Sequence, residues 1–430
     1  MTQHPRPRVL LIAEAANPRL TSVALIGWSV AQALLDTCDV HLVSELRNRD
    51  DILAAGFPVE RFTAIDNRTA QGGAWRLATW LRGGTSLGWS IYTALASLTY
   101  PWFERAVWRT FGPRLRAGEF DVVHRVTPLS LTAPSLLAAR CRRIGVPFLV
   151  GPLNGYLAWP PHFPELARRE GDRLTVLRPA SRLLPGLAAT WTSATLILAG
   201  SRSARAHLPE SCRDRILTLP ENAVDERRFP PVPVPTRAPG EPLRLVFIGR
   251  LVAYKGLDLA LAGAAELLRS GRATLTVLGE GPERAAWEAL AQQLGVSHHV
   301  QFLGNLPHEE VHGHLVRSHV LTFPSLREFG GGVVPEAMVC GVVPVVVDYG
   351  GPPELTPGDT GIRIPIAPRA ILIDALAEAF RRLEADDDLR RTMAAAAMRH
   401  GRTHLTWTVR ARQLELIYRR VAPRWAISSS

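Results

Sequence analysis

Short apolar runs alternate with stretches of helical periodicity along most of the chain. Residues 8–12, 39–43, 121–125, 148–150 and 196–199 form one series of such runs, and 245–248, 274–278, 320–323 and 343–347 form a second. Most are predominantly apolar, and 9–13, 196–199 and 343–347 are continuously so, which is the pattern of strands covered on both faces. Strands separated by helical stretches give βαβ units and parallel, doubly wound sheets. Between the two series lies 229–242, with prolines at 230, 231, 233, 235, 239 and 242. Prolines so dense cannot build a helix or a central strand, so this stretch reads as a linker. The pattern therefore predicts an α/β protein with a first domain over 1–228 and a second over 243–403. Helices are expected from about 368 to 400 and from 404 to 420, and Ser428–Ser430 is expected to fray.

One segment departs from the alternation. Residues 61–118 read as an insertion, with eight arginines against Asp66 and Glu104 and with tryptophans at 75, 80, 89, 102 and 108. Leu87, Ile91, Leu95, Leu98 and Trp102 recur at helical spacing, opposite Ser86, Ser90, Thr93 and Ser97. The stretch is amphipathic and too interrupted to span a bilayer. One reading is a surface that rests on an anionic membrane, with tryptophan at headgroup level. The other, preferred because an apolar stripe usually finds the protein's own core, is a helical pair packed on the first domain and walling a cleft there.

A length of 430 residues suits two domains of ordinary size. Cys38, Cys141, Cys212 and Cys340 show no CxxC spacing and no nearby histidine cluster, which argues against a disulfide framework or a zinc site and fits a reducing cytoplasm. The apolar run at Val9–Ala13 ends at Glu14, too early for a signal-peptide core. The net charge is +11, carried by 49 arginines and one lysine, Lys255. Arginine is the default cation of this chain, so a lysine kept at 255 calls for an explanation. A high pI raises nucleic-acid binding, but no recognised module is present and the arginines are dispersed, so no nucleic-acid partner is expected.

The chemistry concentrates in Pro324–Met338. An apolar strand, 320–323, runs into Leu326-Arg327-Glu328-Phe329-Gly330-Gly331-Gly332, and Pro335 beside Glu336 marks the first turn of a helix. Ligands of open α/β sheets sit beyond the carboxyl ends of strands, so Glu328 and the amides of Gly330–Val333 would face one crevice. Helix-start amides favour anions such as a diphosphate. Two glutamates cannot both ligate phosphate, but they suit hydroxyl donors. Diphosphate and hydroxyls together describe a nucleotide sugar. A solvated loop glutamate and a helix-start glutamate are the plainer alternatives. Arg250 and Lys255 follow another strand end and would converge on the same crevice, where fixed cations stabilise charge developing on a leaving diphosphate.

The Ser-x-x-Glu-x-x-Gly…Glu-Ala-Met run, with Glu328 and Glu336 in E-x7-E spacing, resembles the signature of retaining glycosyltransferases of the large GT-B family 4. Gly249-Arg250-Leu251-x-x-x-Lys255-Gly256 is similar to a second pattern of that family. The resemblance implies two facing Rossmann-like domains with a cleft between them, the acceptor held by the first and the donor by the second. It also implies a final segment, 404–430, that crosses back to the first domain. It places Gly279 and Leu303 near the nucleotide base and Phe329, Gly330 and Gly331 at the donor. It gives Glu328 the sugar hydroxyls, Glu336 the ribose, and Arg250 and Lys255 the leaving diphosphate. His124, at a strand end, resembles the histidine that orients the donor sugar; a lone histidine is otherwise more often structural. Asn154, Gly155 and Tyr156, in a run resembling Gly-Pro-Leu-Asn-Gly-Gly, would line a sugar or acceptor pocket, although Asn-Gly is equally a plain turn.

Departures are visible too. Where relatives carry Gly-Ser-Glu-x-Gly-x-Gly-Trp, this chain reads Thr21-Ser22-Val23-Ala24-Leu25-Ile26-Gly27-Trp28. Two glycines and the glutamate are gone, which weakens the expected backbone approach to a diphosphate. The resemblance implies no bound metal and a UDP-, GDP-, ADP- or dTDP-sugar co-substrate. Asp386-Asp387-Asp388 reads as a solvated helical face. A glycan, lipid-linked or small-molecule acceptor would fit bacterial polysaccharide or glycolipid assembly at the inner face of the plasma membrane. A sugar-nucleotide epimerase or phosphorylase on the same fold, and a non-catalytic binder, are the rival readings.

Overall fold

The computed structural model of the chain describes residues 5–67, 89–169 and 186–423, with backbone alone for 89–99. The described chain forms two compact units. The first comprises Met1–Tyr156, Arg168–Glu221 and Trp407–Ser430; the second comprises Leu157–Ala167 and Asn222–Thr406.

The first unit is built on a sheet in the order β3-β2-β1-β4-β5-β6-β7. Its strands are β1 (Arg8–Ala13), β2 (Asp39–Glu45), β3 (Phe62–Ile65), β4 (Val122–Thr127), β5 (Phe148–Leu153), β6 (Leu196–Ala199) and β7 (Ile216–Thr218). Every pairing is parallel. Leu10 and Ile12 face one core and Val9, Leu11 and Ala13 the other, which is why the run carries no polar position. Strand order reverses between β1 and β4, the switch point at which ligands of such sheets bind.

The expected insertion is partly core. Residues 62–65 are strand β3 of the sheet, and the helix Trp89–Arg116 packs on it through Tyr100, Phe103, Val107, Phe111 and Leu115. Trp102, placed in the buried stripe by spacing, is 52% exposed; the stripe is shifted in phase, while 87 and 86 lie outside the described residues and the side chains of 90–98 are not described. Glu104, one of the segment's few acids, is buried and accepts from the amides of Leu136 and Leu137, serving the orphan donors at the start of helix Leu136–Arg143. The closing helix Trp407–Val421 packs against Val23–Leu34 through Ala411, Leu414 and Tyr418.

The second unit repeats the topology. Its strands are β8 (Leu243–Ile248), β9 (Ala273–Leu278), β10 (Val300–Gly304), β11 (Val320–Phe323), β12 (Val343–Asp348) and β13 (Ile362–Pro365), in the order β10-β9-β8-β11-β12-β13 and again all parallel. The switch point lies between β8 and β11. The proline-rich stretch is laid along this unit rather than free of it. Prolines have no N–H to donate, so the carbonyls of this stretch lack a regular backbone ladder, and arginines supply donors: Arg402 Nη2 reaches Pro230 O at 2.9 Å and Arg390 Nη1 reaches Pro235 O at 3.1 Å. Asp386 and Asp388 are exposed, as expected of a solvated face, while Asp386 also caps helix Asp387–His404 and half-buried Asp387 pairs with buried Arg390 at 2.8 Å.

Candidate functional site

The two loops that leave the switch point of the second unit carry most of the expected residues. After β8 the chain turns at Gly249, passes exposed Arg250, and makes a short 3-10 turn, Ala253–Lys255, before helix Leu257–Arg269. After β11 it runs through Pro324–Gly332 into helix Val333–Val339. Close backbone approaches lock these loops together. Gly256 has φ 71°, and a Cβ there would run into the carbonyl of Pro324. Leu326 N donates to Tyr254 O at 2.8 Å. From the next strand end, Gly351 N donates to Glu328 O at 3.0 Å, and a Cβ at Gly350 or Gly351 would meet the carbonyl of Glu328 or Phe329. Gly279, after β9, has φ 137° and lies against the carbonyl of Gly249.

The result is a paired ammonium and carboxylate. Lys255 Nζ bonds Glu328 Oε2, with the side chains 14% and 18% exposed. The same ammonium lies 5.0 Å from the centroid of Phe323 at the end of β11. Arg250, on the same loop five residues before Lys255, is exposed and has no side-chain partner among the described residues. Among the described residues, no backbone carbonyl accepts from the amides of Gly330, Gly331, Gly332 or Val333. An ammonium, a carboxylate and a set of amide donors thus stand on loops that leave one strand edge, with Arg250 on the first of those loops, a combination suited to a ligand with both anionic and hydroxylic parts.

Glu336, in the first turn of its helix, is 16% exposed and bonds His308 Nε2 through Oε1 at 2.9 Å. Phe329 stacks on Arg327, whose guanidinium also lies 4.3 Å from the Trp159 centroid and donates to Leu157 O at 3.2 Å. Leu303 is half-buried beside the core under Leu278 and Phe323. Phe323, Arg327 and His308 carried no signal as site residues. An aromatic at the end of an apolar run reads as core, and a lone histidine at a helix start reads as a surface group.

In the first unit the expected residues fall differently. His124 on β4 is fully buried. Its Nε2 donates to Gly151 O at 2.7 Å and its Nδ1 accepts from the Tyr418 hydroxyl at 2.6 Å. Burial pushes its pKa down to about 4, so the ring is a neutral clasp with neither nitrogen turned outward. The closing helix covers this strand-end position through Tyr418. Asn154 follows β5 and is buried; its Oδ1 accepts from Gly155 N at 2.8 Å, while its Nδ2 has no partner among the described residues. Tyr156 has φ 59°, unusual for a residue with a side chain, and its ring stacks on His207 at 5.2 Å. Among the described residues, no group of three or more His, Cys, Asp or Glu side chains is arranged to hold a metal ion. No described helix is long and apolar enough to cross a membrane.

Comparison with known proteins bears on this arrangement. Residues 232–400 match the family described as Glycosyl transferases group 1. A curated relative, D-inositol 3-phosphate glycosyltransferase of Corynebacterium diphtheriae, is 31% identical over 205 residues, which is 46% of this chain and 45% of that protein. The chain thus matches under half the length of that relative. Among solved structures, sucrose-phosphate synthase from Thermosynechococcus elongatus superposes with a TM-score of 0.64 at 18% identity, covering 97% of this chain and 99% of the other. Anabaena HepE in complex with UDP gives 0.62 at 16% identity, covering 96% and 99%. At such identities the likeness concerns the fold, the two-sheet GT-B architecture.

Proposed function

We propose, from the match of residues 232–400 to the glycosyl transferases group 1 family, that the chain is a retaining glycosyltransferase using a nucleoside diphosphate sugar. The observation that carries this reading is the Lys255–Glu328 pair at the switch point, with exposed Arg250 on the same loop as Lys255. In the proposed reaction the bond between the anomeric carbon and the diphosphate breaks and the acceptor hydroxyl forms its bond on the same face. The acceptor's proton goes to the departing phosphate oxygen, leaving a glycoside and a nucleoside diphosphate. Lys255 and Arg250 stabilise the negative charge that grows on the leaving group without reorganising water. Glu328 accepts from sugar hydroxyls once Lys255 has turned to the phosphate, and Glu336 offers its remaining oxygen to the ribose. Gly249, Gly279, Leu303, Phe329, Gly330 and Gly331 form the donor's walls. His124 is assigned no contact with substrate, because both nitrogens serve the first unit's own fold. Asn154, Gly155 and Tyr156 are proposed for the acceptor side on the strength of their place just beyond the carboxyl end of β5.

The UDP bound by HepE makes a uridine donor the first to try, and the inositol phosphate relative directs the acceptor screen to polyols and their phosphates. A role in bacterial polysaccharide, glycolipid or glycoconjugate synthesis, from the cytoplasm or at the inner membrane face, belongs to the same reading. Calorimetric titration with UDP, GDP, ADP and dTDP, followed by product analysis with and without acceptor, tests it. Binding of one nucleotide with acceptor-dependent sugar transfer supports it. Turnover of the donor without acceptor would indicate an epimerase or phosphorylase, and absence of nucleotide binding would remove the proposal.

A further inference from the structure

The side chain that governs Glu336 lies outside the motifs. His308 follows Pro307 at the start of helix His308–Leu315 and contacts two charged groups. Its Nε2 is 2.9 Å from Glu336 Oε1, and its Nδ1 is 3.0 Å from Arg228 Nη1. Guanidinium can only donate, so Nδ1 accepts and the ring proton sits on Nε2, directed at the carboxylate. Arg228 is held in turn near Asp225, with the two groups 3.9 Å apart, and the edge of the Phe229 ring packs against the imidazole with centroids 5.8 Å apart. The Glu336 bond raises the His308 pKa, while burial and Arg228 oppose the rise; an imidazolium would have to release Arg228, since both nitrogens would then donate. All these residues lie in the second unit.

A single N–H of a fixed tautomer engages one carboxylate oxygen and leaves the other free, whereas a lysine or arginine at 308 would compete for both. Resting on the assignment of Glu336 to the ribose, we propose that His308, oriented by Arg228, is a positioning residue that aims Glu336 at the ribose hydroxyls and so sets discrimination between ribonucleotides and deoxygenated nucleotides. The Arg228–His308–Glu336 chain ties the segment entering the second unit to its donor helix. The acceptor oxygen of Glu336 is therefore in place before a nucleotide arrives, so little ordering remains to be done on binding.

The test is a ratio, which a general loss of stability does not move. Affinities of UDP, GDP and ADP, and of their 2′,3′-dideoxy counterparts, are measured by calorimetry for the full chain and for His308→Gln, His308→Asn and Glu336→Gln. The wild type is expected to prefer the ribose form by roughly ten- to a hundredfold, the range of a hydrogen bond to a charged acceptor. His308→Gln, whose amide reaches the position of Nε2, should keep most of that preference. His308→Asn, of similar polarity but too short to reach Glu336, should lose about tenfold of it. If Glu336→Gln collapses the ratio while both His308 variants keep it, the positioning role is overturned and the ribose assignment stands. If the wild type shows no preference, or Glu336→Gln leaves it unchanged, the ribose assignment falls and the positioning role with it.

Discussion

The Lys255–Glu328 pair makes a prediction with opposite signs for its two members. In the free protein the ammonium is committed to the carboxylate, so a diphosphate must draw Lys255 away from Glu328 while approaching that carboxylate's negative charge. Removing the lysine deletes a charge-assisted donor worth about 1.5–3 kcal/mol, so Lys255→Ala should weaken a bare nucleoside diphosphate roughly ten- to 150-fold. Removing the glutamate's charge does the reverse. Glu328→Gln releases Lys255 and relieves repulsion of the phosphates, and since the pair is only partly shielded the gain is on the order of 1 kcal/mol, about fivefold tighter. Turnover behaves differently, because Glu328 is assigned to the sugar. Glu328→Gln should bind nucleoside diphosphate at least as well as wild type while its kcat falls by roughly 100-fold or more. Calorimetry with the diphosphate, steady-state rates with the sugar donor, and thermal melting of each variant separate the contributions. If Lys255→Ala and Glu328→Gln weaken diphosphate binding alike and lower the melting temperature alike, the pair is a strut between two loops, and its assignment to donor binding is refuted.

Gly256→Ala should destabilise the second unit by more than the roughly 1–2 kcal/mol of a left-handed residue, because its Cβ meets the Pro324 carbonyl; Gly240→Ala, at φ 79° with nothing within 4 Å, should show the conformational cost alone, and equal melting shifts would discount the close approach. His124 is neutral when folded, with its pKa lowered from 6.5 to about 4. Its contribution is therefore complete above about pH 6.5 and is lost as pH falls towards 4, on the order of 3 kcal/mol in all. His41 and His319, also lowered to about 4 by burial, add to the same slope, so His124→Asn should flatten rather than abolish the acid dependence of the urea midpoint; an unchanged slope would contradict the buried neutral clasp. Trp102 is 52% exposed on the same helix as exposed Arg105 and Arg109. If this face meets an anionic bilayer, Arg105→Glu with Arg109→Glu should weaken sedimentation with anionic vesicles at low salt by at least tenfold, from about 1 kcal/mol for each arginine lost. Vesicles that retain neither protein remove the membrane contact.

The doubly wound architecture was legible because strands buried on both faces have no polar positions to obscure them, as β1 and β12 illustrate. Strand β3 was not: four residues beside a basic, tryptophan-rich stretch carry less signal than the composition around them. The phase of the helix Trp89–Arg116 was missed for a related reason, since Trp102 looks apolar but the buried line runs through Tyr100, Phe103, Val107 and Phe111. At the site, Lys255 stood out because the rest of the chain uses arginine, and the glycines stood out because backbone crowds them. His308 had neither mark, as its importance lies in what Arg228 and Glu336 do at its two nitrogens, partners 80 and 28 residues away.

The first loop of the first unit shows why glycines there differ in what they reveal. Gly27 is kept, and a Cβ at that position would strike the carbonyl of Ala15 as helix Val23–Leu34 crosses over it. Thr21 is exposed and Leu25 half-buried, with space for both side chains. The fold by itself demands glycine at 27 and permits larger residues at 21 and 25. Glycine thus stands where packing requires it, at 27, and larger residues stand at 21 and 25, where packing does not. Ser22 nonetheless holds φ 61° at the start of that helix without a side-chain capping bond, so the turn retains a strained backbone without local compensation. The physical distinction between the two units follows. In the second, the glycines that crowd backbone against backbone are also those that shape the loops around Lys255 and Glu328, so fold and site are written in the same residues. In the first, packing accounts for Gly27 and His124, and a ligand's demands on the loop are separable from the fold's.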